Sequence, residues 1–453
     1  MSNGPALVLS SDEIEALRRD IIADARARRA DAAWDKVQPL RAAQRHQTEA
    51  AMALLFVVHE RCLASEAALS VLSEVAKSHD QDIHILSALS ECLESARDID
   101  DLNAPPPDDP VFGAVVEKLA AFAASYEGQP EQEQILFGLA SAARVLAREH
   151  DAIAETSYRK LTEIDPRRAA YHYNLGLFQK TRGRFAEGVT SNQVAARLAD
   201  EVDESHQWNL GICATGAGAA AVALDVWKRM GHEIDMGRFG LPEGSYSNCK
   251  VKLAERPLAE RSVDRDDPGA EETIWIERLS PCHGIIRSVL YRNLGVDYGD
   301  VILMDGAPIT VHTYGDVRVP VFPHLATLVR RHYQTFDFAG TQGAARQLAD
   351  LSAELDMDAV IYSHSENLTM LCANCWRDPD RDHIEHESME TFVVRGRIAA
   401  PPDITPARLL NLIDRAIETH GGCQLYAPDL CAAAGLTARE RIDRRRFELL
   451  MNN

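Results

Sequence analysis

Cys372-Ala373-Asn374-Cys375 is the sharpest chemical motif in the chain. Two cysteines separated by two residues can turn both thiolates onto one metal ion, and Zn²⁺ asks for four such ligands in a tetrahedron. His383 and His386 follow, so Cys372, Cys375, His383 and His386 are the candidate zinc ligands. A second C-x2-C is missing, and the two histidines stand closer together than zinc-finger spacing prefers. The competing reading is a pair of ordinary half-buried thiols, which asks nothing further of the sequence. A redox pair is a third reading, but such pairs sit at a helix start in a different βαβ context. Glu366 is the nearest candidate for acid–base work.

Other constellations are less complete. His364-Ser365-Glu366 ahead of the two cysteines superficially resembles the zinc nucleobase deaminases, where a ligand His, a proton-shuttling Glu and a C-x2-C pair cooperate. The gap from Glu366 to Cys372 is too short for the two helices such a site needs, so that reading is rejected. His383-Ile384-Glu385-His386-Glu387 does not space its histidines one helical turn apart, as a metalloprotease helix must. Gly340-Thr341-Gln342-Gly343 could offer backbone N–H groups to an anion, yet it has neither a Lys nor the full glycine fingerprint. Cys282 and His283 are neighbours, and neighbouring side chains on a strand face opposite ways.

The elements that must position these residues read as α+β over 326–453. After a short helix at 325–331, strands at 332–338, 359–364, 390–398 and 423–426 alternate with helices at 343–355 and 405–420. That order is β-α-β-β-α-β, the split βαβ of the ferredoxin-like class. Thr405 before Pro406 marks a capped helix start, and an amphipathic helix closes the chain at 439–451. Strand-like runs at 273–279, 284–291 and 300–304, with no helix between them, predict a small antiparallel barrel or sandwich over 273–325. Residues 232–272, punctuated by Gly237, Gly240, Pro242 and Pro268-Gly269, read as a linker or an edge strand plus loop.

Residues 1–231 read as helix nearly throughout, about six hairpins in a row. Two stretches match in detail. Tyr173-Asn174-Leu175-Gly176 is followed by Gly183 and Phe185, and Trp208-Asn209-Leu210-Gly211 at the same offset by Gly218 and Ala220. An aromatic-Asn-Leu-Gly run, a glycine turn and a second helix, at a period near 34 residues, resemble the tetratricopeptide repeat (TPR). The resemblance implies an α-solenoid that binds a protein or peptide on its concave face, with the first helix of each pair turned inward. On that reading His172, Asn174, Gln179, Gln207 and Asn209 are the candidate partner-binding residues, since amides can clamp an extended backbone.

Composition bounds the rest. There are 48 Lys and Arg against 69 Asp and Glu, a net charge of −21. So acidic a surface repels phosphate backbones and anionic lipid, which argues against nucleic-acid and membrane partners and favours neutral or basic proteins. No stretch has the length of a membrane span, and the N-terminus lacks the basic start and apolar core of a signal peptide. Nine scattered cysteines form no disulfide framework, so a cytoplasmic protein with reduced thiols is expected. Richness in Ala, Arg and Asp is compatible with a bacterial source. The expected function is a TPR-like adaptor or scaffold; the alternative is a zinc enzyme or accessory subunit handling a peptide through its C-terminal module. Oligomeric state is not legible.

Overall fold

The computed structural model describes residues 7–96, 106–199, 204–353, 355, 359–372 and 388–452. The chain forms two compact units and passes between them more than once. The first holds Met1–Glu271, Leu279–His283 and Leu303–Ala326; the second holds Glu272–Arg278, Gly284–Ile302 and Thr327–Asn453.

The first unit opens with six helical hairpins. They are α1 (Ser11–Arg26) with α2 (Ala30–Ala43), α3 (Thr48–His59) with α4 (Ser65–Ser78), and α5 (Ile83–Ala96) with α6 (Pro110–Ser125). Then come α7 (Glu131–Val145) with α8 (Asp151–Ile164), α9 (Ala169–Thr181) with α10 (Phe185–Leu198), and α11 (Glu204–Gly216) with α12 (Ala220–Arg229). Ser10 and Glu13 form a reciprocal cap that starts α1. First helices stack on first helices, α1 on α3, α3 on α5, α5 on α7 and α9 on α11. Each second helix except α12 also packs on the next first helix. This is TPR-like stacking: no hairpin buries its apolar face alone, and neighbours complete the core.

Glycine makes the tight parts possible. Gly183 and Gly218 turn the chain between paired helices with φ of 71° and 68°, a region costly for any residue with a Cβ. Inside α11, a Cβ on Gly211 would run into the Trp227 indole, which is fully buried on α12. Leu175 and Leu210, the matched leucines of the two repeats, are both buried.

Residues 232–272, expected as a linker or an edge strand plus loop, hold three strands: β1 (Ile234–Met236), β2 (Pro242–Gly244) and β3 (Cys249–Ala254). After β4 (Glu271–Arg278), β5 (His283–Ile286) and β6 (Val301–Met304) come β7 (Thr310–Tyr314) and β8 (Val317–Val329), whose strand runs through most of the short helix expected at 325–331. In the first unit β7 and β8 form an antiparallel hairpin, but β3 pairs with β8 in parallel, Lys250 opposite Val321. The antiparallel pairing expected over 273–325 is present in β4–β5 and β7–β8, and β3, from before that range, adds a parallel partner to β8. A parallel partner must come from far along the chain, and local alternation cannot reveal it. Residues 273–325 are shared between the two units.

The second unit contains the antiparallel pair β4–β5 and a four-stranded sheet. Its strands are β9 (Gln334–Gln342), β10 (Val360–Cys372), β11 (Ser388–Ala400) and β12 (Cys423–Tyr426), with α13 (Gln347–Ser352) between the first two and α14 (Pro406–His420) between the last two. The sheet order is β10-β11-β9-β12, and every neighbouring pair is antiparallel. Phe338, Leu348, Leu351, Ile361, Val394, Ile398, Leu409 and Ile413 form its core. Two more helices, α15 (Pro428–Ala433) and α16 (Thr437–Met451), follow. Leu450 of α16 is buried with Ala339 and Val393, and Arg395 donates to the Leu450 carbonyl at 2.6 Å.

The close helix contact gives a direct test. Gly211→Ala should destabilise the protein by about 1–3 kcal/mol through overpacking, and Leu175→Ala by about 2–5 kcal/mol through a cavity. Denaturant melts check both. A Gly211→Ala variant as stable as the parent would mean the indole moves aside freely.

Candidate functional site

The five residues expected on the receptor face divide into two groups. His172 and Asn174 are half-buried. The His172 Nε2 lies 3.0 Å from the Pro166 carbonyl, and the Asn174 amide donates to Ala170 of its own helix at 2.8 Å. Gln179, Gln207 and Asn209 are interior. Ser191 on α10 donates to the Gln179 carbonyl oxygen at 2.8 Å, so that amide serves the hairpin's own packing. These three side chains are buried within the first unit, whereas His172 and Asn174 retain partial exposure.

The first unit's own strand segment reaches the residues beside those three buried side chains. Lys180, 4% exposed on α9, lies 2.7 Å from the carboxylate of Asp305, which is 7% exposed and just past β6. The same ammonium donates to the Asn209 Oδ1 of α11 at 2.9 Å. The Asp305 N–H donates to the Pro323 carbonyl, and the Ala307 N–H lies 3.4 Å from Asp305 Oδ1, so the carboxylate is held by its own turn. Gly306 lies so close to the Trp208 ring that any Cβ would strike it. Burial disfavours the Lys180 cation, but the Asp305 charge and hydrogen bond outweigh burial and hold its pKa above the ordinary lysine value.

More polar groups continue inward. The Cys282 thiol lies 3.4 Å from Thr215 Oγ1, whose hydroxyl bonds back to Gly211 within α11. Ser280 Oγ lies 2.5 Å from His283 Nδ1. Burial pushes the Cys213 thiol up to about 12, so it is an inert thiol at neutral pH. Burial likewise pushes His283 down to about 4. None of Lys180, Asp305, Thr215 or Cys213 stood out in the sequence. The available signal was Lys180 directly after Gln179, on a helix already read as inward-facing.

The metal candidates are placed in part. Cys372 is the last residue of β10 and pairs across the hairpin with Ser388. Cys375, His383 and His386 lie outside the described residues. Glu366 is half-buried on β10, and its carboxylate accepts the Arg346 N–H at 3.1 Å, just ahead of α13. That contact gives it a local structural role. Among the described residues no group of three or more His, Cys, Asp or Glu could hold a metal ion. No described helix is long and apolar enough to cross a membrane.

No protein-family model matches the chain, and no curated protein matches it. Among solved structures it is similar to PilW, a type IV pilus biogenesis factor, at 10% identity with a TM-score of 0.34. That match covers 48% of this chain and 91% of PilW. It is also similar to PilF of Pseudomonas aeruginosa, at 11% identity with a TM-score of 0.31, covering 48% of this chain and 92% of PilF.

His283 sets a pH dependence with a definite sign. Its folded pKa lies below its unfolded value of 6.5, so between about pH 6.5 and 4 the unfolded chain binds the extra proton. Stability should therefore be level above pH 6.5 and fall by up to roughly 3 kcal/mol as the pH drops to 4. His283→Gln should flatten that part of the curve in urea melts at stepped pH, and an unchanged slope would assign it to other groups.

Proposed function

We propose that the protein is an adaptor whose helical repeats bind another protein or peptide. The observation that carries this is the unbroken row of six stacked hairpins, an architecture that builds extended binding surfaces rather than reaction centres. A net charge of −21 favours a neutral or basic partner over nucleic acid or anionic membrane, and the scattered cysteines are compatible with a cytoplasmic setting. Because Gln179, Gln207 and Asn209 are interior, the receptor is the surface around His172 and Asn174 and the earlier first helices. The second unit's sheet order and its β-α-β-β-α-β succession support reading that part as a ferredoxin-like module. In affinity capture from its source cells, the full chain should retain a partner that His172→Ala/Asn174→Ala binds about tenfold more weakly. Binding within about twofold of the parent would move the receptor elsewhere.

A zinc site is the second proposal. The C-x2-C spacing of Cys372 and Cys375, with His383 and His386 close behind in the sequence, supports it, since these residue types suit Zn²⁺. Elemental analysis should find close to one zinc per purified chain, lost in Cys372→Ser. Less than about 0.2 metal per chain, unchanged by that substitution, removes the zinc reading.

A further inference from the structure

We propose that Lys180 and Asn209 form an intramolecular amide cross-link, with Asp305 as the proton carrier. All three side chains are at least nine-tenths buried and belong to the first unit. The Lys180 Nζ is 2.9 Å from Asn209 Oδ1, which places the amine beside the carboxamide carbon bonded to that oxygen. Asp305 Oδ2 touches the same nitrogen at 2.7 Å. The Asn209 Nδ2, the group that must leave, is buried with no hydrogen-bond partner among the described residues. A buried amide nitrogen left in that state is costly, and its departure relieves the cost.

The reaction balances without any further reagent. Lys180 passes one proton to the Asp305 carboxylate along their contact, leaving a neutral amine beside a carboxylic acid. Nζ attacks Asn209 Cγ, the Asp305 proton moves to Nδ2, and the Cγ–Nδ2 bond breaks as the Nζ–Cγ bond forms. The departing ammonia also takes the second amine proton and leaves as ammonium, and Asp305 ends as the carboxylate it began as. The raised pKa of Lys180 describes release of a proton to solvent. Transfer within the pair is a different equilibrium, and burial favours it because two ions become two neutral groups. The product ties α9 to α11, joining the last two repeats covalently.

Mass spectrometry of the purified full-length chain tests this directly. The expected result is an intact mass about 17 Da below that of the sequence, the mass of ammonia, with a branched tryptic peptide joining the Lys180 and Asn209 segments. Lys180→Arg, Asn209→Ala and Asp305→Asn should each restore the sequence mass. An unmodified parent mass with separate linear peptides would overturn the proposal. So would an ammonia loss that persists in Lys180→Arg, or a water loss joining Lys180 to Asp305. The mass of the parent chain is sufficient by itself, so a variant that fails to fold does not weaken the test.

Discussion

The first unit depends on one buried contact, the ammonium of Lys180 against the carboxylate of Asp305. Two charges taken out of water are tolerable only when they meet each other, because either alone in the interior costs several kcal/mol. The α9 helix therefore cannot reach its buried state until the turn after β6 is in place. Asn209 extends the constraint to α11, and Gly306 against Trp208 fixes how closely the turn approaches. The repeats and the strands of this unit are thus one packing problem, solved where a polar cluster is enclosed by apolar neighbours.

That arrangement changes what the repeat architecture can offer a partner. A TPR-like solenoid with an open concave side presents its first helices to a ligand along the whole row. Here the last two first helices spend their inward polar residues on the chain itself. The α7–α8 hairpin is also tied to the chain, through Arg148, whose side chain and N–H reach the Asp266 carboxylate. Binding capacity and internal cohesion are divided along the row, with cohesion concentrated at α9 and α11.

Much of this was legible in the sequence, and what was hidden has a physical reason. The matched leucines 175 and 210 and the turns at Gly183 and Gly218 announced the repeats, because the period of a helix and the φ of a turn are local properties. The strands and helices of the second unit were also legible, since Thr405-Pro406 caps α14 and alternation marks β9 to β12. Lys180 was not legible. A lysine on a helix reads as solvated, and only the arrival of Asp305 from far along the chain makes its burial acceptable. Gln179, Gln207 and Asn209 are buried, and sequence spacing does not say whether such positions turn toward a partner or toward another part of the same chain. The parallel register of β3 on β8 was hidden for the same reason. Cys375, His383 and His386 lie outside the described residues, so the structure adds nothing to what their spacing implies.

The long reach from Lys180 to Asp305 also sets an order of events during synthesis. About 125 residues must be added after Lys180 is made before its carboxylate exists, which at ribosomal speeds is roughly 6–25 s. Through that interval the newest hairpins carry a charge whose interior counter-charge has not yet been translated. Helices form in microseconds, so the repeats are assembled long before they can close. The nascent chain is therefore a row of finished helices with one unfinished seam, and that seam is where a chaperone would find apolar surface to hold.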